Sequence, residues 1–312
     1  MANINNRFEY INDLAEHEPE QLVADAEKRY VNIVDMAADK ILEKAGGGEI
    51  VMLAGPSSAG KTTTAKRLKL NFESRGYGVD TISLDDFYLD KGKGPRRPDG
   101  TFDLETVHAL DLPLIHECLL ALLEHGRAEF PQFDFTTGKR MEQTKHVTLG
   151  PTDVIVIEGL HALNPIITDT LPHDRLVRLY ISLSSRIYNE DMGIVLNKRN
   201  MRFVRRLVRD YKFRNSSTEN TYCMWDGVLE GEEKYLMPYR DCADIRINSV
   251  HIYEPCVFRD EAIGLLEQVG EGSEYFAPAQ RLIKALSKFR SLPPALVPES
   301  SLLREFLGYE KK

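Results

Sequence analysis

At 312 residues with 42% hydrophobic content, the chain carries enough apolar material to bury a full core, with room for one large α/β unit plus appendages. Its formal net charge of -8 argues against nucleic-acid or membrane-surface partners, which need a basic field, and points to small molecules. The four cysteines (Cys118, Cys223, Cys242, Cys256) lack C-x-x-C or zinc spacing, no apolar run approaches the roughly 20 residues of a membrane span, and the first residues form no basic-then-apolar leader; a cytoplasmic protein with reduced thiols is expected.

Leu22, Ala26, Tyr30, Ile33, Ala37 and Ile41 recur at three- and four-residue steps, so residues from about 19 to 44 read as an amphipathic helix ended by Gly46-Gly47-Gly48. Residues 1–48 are therefore expected to form an N-terminal helical extension. From Glu49 onward, short apolar runs alternate with helical stretches: 50–54, 79–84, 154–157, 176–183 and 244–248. Continuous apolar strands of this kind suit a mostly parallel sheet with helices on both faces, an α/β fold expected over residues 49–260. Helices are expected after Lys61, across Leu104 to His125 and across Met201 to Tyr211. Residues 261–312 read as a docked C-terminal helical tail broken by the prolines of Ser291–Pro298. A helix added at each end serves either a homo-oligomer interface or as cover for an exposed edge of the core.

Gly55-Pro56-Ser57-Ser58-Ala59-Gly60-Lys61-Thr62 fits G-x-x-x-x-G-K-[ST], between a strand and a helix with Ala65, Leu68 and Phe72 on one face. The glycines let backbone N–H groups turn inward around phosphates, the helix N-terminus adds a favourable dipole, Lys61 reaches the β/γ oxygens and Thr62 ligates Mg²⁺. Gly55, Ser57, Ser58, Ala59, Gly60, Lys61, Thr62 and Thr63 are thus the candidate ATP-binding residues of a P-loop. A second strand, Val154 to Ile157, ends in Glu158-Gly159, which puts an acid at the strand's C-terminal edge and makes Glu158 the second candidate on the Mg²⁺ side. Asp85 and Asp86 follow the strand at 79–84 at the same edge, where one of them can serve as base toward an acceptor hydroxyl. Phosphoryl transfer through a loose transition state needs little early deprotonation, so an ordinary Asp suffices.

Arg202, Arg205, Arg206 and Arg209 stand at i, i+3, i+4 and i+7, which gathers four guanidinium groups on one helix face. In an acidic chain with a phosphate loop, that face reads as a lid over the transferring phosphoryl group, spanning about 197–225. The basic Gly/Pro-rich stretch Lys91–Gly100 reads as a surface loop or a flap beside the acceptor.

Taken in order, GPSSAGKTT (55–63), SLDDFY (83–88), GTFD (100–103), PQFDFTTGKR (131–140), VIVIEGLHALNP (154–165), RFVRRLVRDY (202–211) and the series Trp225, Pro238, Ala243-Asp244 resemble the uridine kinase and phosphoribulokinase family of P-loop enzymes. The likeness covers about residues 49 to 260 and is nearest to a bacterial uridine kinase-like nucleoside kinase branch, whose members also carry a string like Ser301–Phe306. It implies a nucleoside monophosphate-type α/β fold in which ATP, with Mg²⁺, phosphorylates the 5′-hydroxyl of a nucleoside. On that resemblance Asp85 falls on the catalytic aspartate, with Lys61, Arg205 and Arg209 beside it in the catalytic set. Asp103 falls on the acid that holds the ribose hydroxyls, and Arg202 in the lid; Tyr88, Phe133 and Arg140 join them at the acceptor, Phe133 standing where uridine kinases have a base-contacting Tyr. Gly138 departs from the pattern, because those enzymes have a His there that hydrogen-bonds the pyrimidine.

Two other functions are weighed. A phosphoribulokinase-like sugar-phosphate kinase needs extra cations for the acceptor's phosphate, which Lys93, Arg96 and Arg97 can supply. A non-catalytic nucleotide-binding regulator or GTPase-type switch is suggested by Asn197-Lys198-Arg199-Asn200, but an amide replaces the carboxylate that reads guanine.

Overall fold

Ile50–Ala54 and Val154–Gly159 are buried at every residue, which requires strands with both faces covered. The computed structural model describes residues 6–45, 50–98, 100–135 and 137–309, so Gly46-Gly47-Gly48, expected to end the long helix, lies outside the described residues. In chain order the elements are α1 (Phe8–His17), α2 (Pro19–Ala45), β1 (Ile50–Ala54), α3 (Lys61–Ser74), β2 (Val79–Ser83), α4 (Leu112–His125), β3 (Arg127–Phe130), β4 (Phe133–Asp134), β5 (Lys139–Arg140), β6 (Lys145–Thr148) and β7 (Val154–Gly159). They continue with α5 (Pro165–Thr168), β8 (Leu176–Ser182), β9 (Ile187–Tyr188), β10 (Ile194–Leu196), α6 (Lys198–Arg214), α7 (Thr218–Tyr235), β11 (Ile245–Asn248), α8 (Glu254–Leu266), α9 (Phe276–Leu286) and α10 (Arg304–Leu307).

The main sheet runs β11-β8-β1-β7-β2 and every pairing in it is parallel, as the apolar runs predict. Alternation along β1 sends Val51 and Leu53 into one core with α2, α3, α6 and α8, and Met52 and Ala54 into a second core with α4. The helix expected across Leu104 to His125 begins only at Leu112. Asp111 Oδ1 caps it by accepting from Leu114 N at 3.2 Å, and Pro113 in its first turn has no N–H to lose. The preceding residues instead form an irregular stretch with one 3₁₀ turn at Val107–Ala109.

The extensions at both ends share the central core. Tyr30, Val34 and Ile41 of α2 pack with Ala65, Leu68 and Phe72 of α3, and Leu282, Leu286, Leu302 and Phe306 join the same cluster. Tyr30 is fully buried and its hydroxyl lies 2.7 Å from Thr64 Oγ1, the partner a buried phenol requires. α8 runs straight through the boundary expected at 260/261, so no linker separates the tail there. No helix among the described residues is long and apolar enough to cross a membrane.

Candidate active site

The turn from β1 into α3 is built as a phosphate cradle. Gly60 has φ +89°, in the left-handed region, and a Cβ there would lie 2.3 Å from Leu302 Cδ1, so only glycine fits. Ser58 also takes a positive φ of 59°, and its buried hydroxyl has no hydrogen-bond partner. The first-turn amides of Lys61, Thr62 and Thr63 have no acceptor within the helix. An orphan hydroxyl, free amides and a cationic Lys61 at a helix N-terminus fit a polyphosphate.

Parallel register puts Ser83 of β2 opposite Glu158 of β7, and both sit at the sheet's C-terminal edge beside the cradle. Thr62 Oγ1 donates to Glu158 Oε1 at 3.0 Å and Ser83 Oγ donates to the same oxygen at 3.2 Å. Burial pushes the Glu158 carboxyl up to about 7; Lys61 opposes this and Asp85 adds to it. Thr62, Ser83 and Glu158 thus form an oxygen-rich corner of the kind Mg²⁺ prefers, at the first turn of α3.

The two neighbouring aspartates divide their work. Asp86 Oδ1 accepts from Phe133 N at 3.2 Å and so anchors the hairpin of β4 and β5. Asp85 follows Ser83, whose Oγ accepts from Asp85 N at 3.3 Å, and its charge reaches both Glu158 and Tyr88. Of the pair, Asp85 is the one whose charge acts on Glu158. Tyr88, Phe133 and Phe135 gather into an aromatic wall, with ring centroids 5.1 to 6.3 Å apart. Asp103 Oδ2 accepts from the Tyr235 hydroxyl at 3.3 Å. Arg140 donates to Asp111 at 3.0 Å, yet its Nε is buried with no partner. Gly138 occupies the turn of this hairpin at φ +67°, where a Cβ would lie 3.1 Å from Lys91 Cβ. A side chain is strained at that position, and glycine offers no imidazole to this turn.

The arginine face of α6 is not a free lid. Arg202 is buried, pairs with Glu232 of α7 and donates from Nε to Ser57 O at 2.9 Å. Arg205 is wholly buried and forks onto Glu254 at 2.5 and 3.0 Å, with further bonds to Ser58 O at 3.2 Å and Ser249 O at 3.0 Å. Arg206 reaches Ser57 Oγ at 3.0 Å, while Arg209 turns to its neighbour Asp210 at 2.8 Å. The assignments of Arg205 to the catalytic set and Arg202 to the acceptor are corrected accordingly: these side chains hold the backbone of Ser57 and Ser58 from behind. The same correction applies to the 197–225 lid, because Met201, Phe203, Val204, Leu207 and Val208 lock α6 into the core.

Two carboxylates were not singled out from the sequence. Glu232 Oε1 accepts from Ser57 N at 2.8 Å, so with Arg202 it grips both backbone groups of Ser57. Glu105 lies under α7, where a Cβ on Gly231 would meet its side chain at 2.4 Å. Burial pushes it up to about 7, Arg206 pulls it back, and Glu232 and Asp85 push it further. The only signal for Glu105 was its place two residues after Asp103. On the β8 and β11 side, a cavity of about 1200 Å³ opens beside Pro56 and Arg202, walled by Ile33 and Met36 of α2.

The model of the Phosphoribulokinase / Uridine kinase family matches residues 50–254. Uridine kinase from Lactobacillus helveticus is 28% identical over 197 residues, covering 63% of this chain and 84% of that one. Uridine kinase from Halobacterium salinarum is 28% identical over 233 residues, covering 73% of this chain and 90% of that one. Among solved structures, a possible uridine kinase from Bacillus stearothermophilus aligns with a TM-score of 0.46 at 20% identity, covering 69% of this chain and 97% of that one.

Proposed function

As the chain belongs to the phosphoribulokinase and uridine kinase family, we propose that it is an ATP-dependent nucleoside kinase that moves the γ-phosphate to a nucleoside 5′-hydroxyl, with a uridine- or cytidine-like acceptor favoured. The observation that carries this reading is the edge shared by Lys61, Thr62, Glu158 and Asp85, which brings a cation, a hydroxyl and two carboxylates to one corner of the sheet. On this reading the enzyme works in the cytoplasm on small molecules.

The cradle amides and Lys61 bind and align the phosphates, and the Arg202–Glu232 pair keeps Ser57 from shifting. Thr62 and Glu158 would hold Mg²⁺, which when bound neutralises charge on the transferred group. Asp85 orients the acceptor hydroxyl and takes its proton late in transfer. Asp103 accepts from the acceptor's sugar hydroxyls, and the wall of Tyr88 and Phe133 offers faces to its base. With glycine at 138, that wall reads the base by shape more than by hydrogen bonds, so a broader nucleoside range is expected.

A sugar-phosphate acceptor is less well supported, because its candidate cations are engaged. Lys93 pairs with Asp90 at 2.9 Å, Arg96 stacks over Phe102 at 4.1 Å and Arg97 faces Asp103 at 3.7 Å. Incubation with Mg-ATP and a panel of ribo- and deoxyribonucleosides plus ribulose 5-phosphate, read by mass spectrometry, tests the reading. Nucleoside 5′-monophosphates are expected; ATP hydrolysis with no phosphorylated nucleoside would overturn it.

A further inference from the structure

Thr62 and Thr63 are neighbours on the first turn of α3, about 100° apart around the helix axis. Their hydroxyls have different carboxylate partners. Thr62 Oγ1 reaches Glu158 at 3.0 Å beside Asp85, whereas Thr63 Oγ1 donates to Glu305 Oε2 of α10 at 2.6 Å. On the kinase reading, a triphosphate with its terminal group at Lys61 and Thr62 has its inner phosphates against the neighbouring amides of this turn, which include that of Thr63.

Glu305 is held beside this turn by fixed contacts. Leu302 lies against Gly60, Phe306 sits 5.2 Å under the Arg205 guanidinium, and Ser301 Oγ donates to Glu27 of α2 at 2.6 Å. A carboxylate accepts hydrogen bonds and cannot donate them when ionised, so against phosphate oxygens it would only repel. Against two adjacent hydroxyls it accepts two bonds at once. We propose that Glu305 is a donor-specificity residue whose carboxylate accepts the 2′- and 3′-hydroxyls of the ribose on the donor nucleoside triphosphate. The role rests on the kinase reading above, and Thr63 keeps the carboxylate aimed.

Calorimetric titration of the full chain with Mg²⁺ and ATP, 2′-deoxy-ATP, 3′-deoxy-ATP or inorganic tripolyphosphate tests this, in the wild type, Glu305→Gln and Glu305→Ala. The wild type is expected to bind ATP roughly ten- to a hundredfold more tightly than either deoxy form, as hydrogen bonds to a charged group are worth. In both variants that ratio should fall to about threefold or less while tripolyphosphate affinity holds. Glutamine keeps the side chain's volume, so a comparable melting temperature shows that the fold is intact if alanine disturbs it. An unchanged ratio in Glu305→Gln would overturn the role, as would equal gains for ATP and tripolyphosphate, which mark simple repulsion. Wild-type protein that binds neither would sink the kinase reading itself, whereas tripolyphosphate binding without preference for ribose would sink only the role of Glu305.

Discussion

At the scale of single residues, Asp85 and Lys61 should separate chemistry from binding. On the proposed mechanism, in which Asp85 acts on the acceptor, Asp85→Asn is expected to lower turnover at least about 100-fold while changing ATP affinity little. Lys61→Ala should weaken both, and calorimetry beside a turnover assay distinguishes the two patterns. Glu105 should show itself through pH. Its carboxyl is held at about 7 instead of the ordinary 4.5, so ionisation in the folded state is penalised. The penalty is absent below about 4.5, grows as pH rises and is complete above about 7. Glu105→Gln should therefore raise the melting temperature by about 2–4 °C near pH 8, after allowance for solvent screening, and by much less near pH 5. The phosphate loop, Glu158 and the Asp85-Asp86 pair were legible in the sequence because a fixed spacing between strand end and helix start sets their geometry. Glu105 and Glu232 were not, since their approach to Asp85 and Ser57 depends on how α7 crosses the sheet edge.

At the scale of elements, α6 shows what periodicity can and cannot reveal. Arginines at i, i+3, i+4 and i+7 do share one face, as expected. Whether that face meets solvent, a ligand or the protein is decided by partners far along the chain: Glu232 lies 30 residues from Arg202 and Glu254 lies 49 from Arg205. No local pattern encodes those pairings. The pairing makes a sharp prediction, because removing one member leaves the other charged and buried. Glu254→Ala should destabilise the protein by about 3–5 kcal/mol in denaturant titration. If the cost is near that of a surface substitution, Arg205 is not held as described. The start of α4 carries a similar lesson. Asp111 and Pro113 form a standard helix entry, but the apolar residues upstream from Leu104 extended the apparent period past it.

At the scale of the whole molecule, α1 and α2 are part of the core. α2 covers the outer face of α3 and the β11 edge of the sheet, with Val34, Ala38 and Ile41 fully buried. A chain lacking residues 1–48 should expose that face and aggregate or melt far earlier than the intact protein, as measured by soluble yield and circular dichroism. The amphipathic stripe made the helix legible, but a stripe names no partner; α3 and β11 became the partners only through the fold. The buried knot of Glu27, Tyr253 and Ser301 joins both extensions to the centre, with Tyr253 donating to Glu27 at 2.5 Å. The link between Thr63 and Glu305 has a consequence for biosynthesis. The two residues are 242 positions apart, so at about 5–20 residues per second the ribosome delivers the second roughly 10–50 s after the first. Until then the phosphate loop has strands beneath it but nothing on its α10 flank. A nascent chain stalled in that interval would present an incomplete nucleotide site and a bare apolar flank, the kind of surface that molecular chaperones retain.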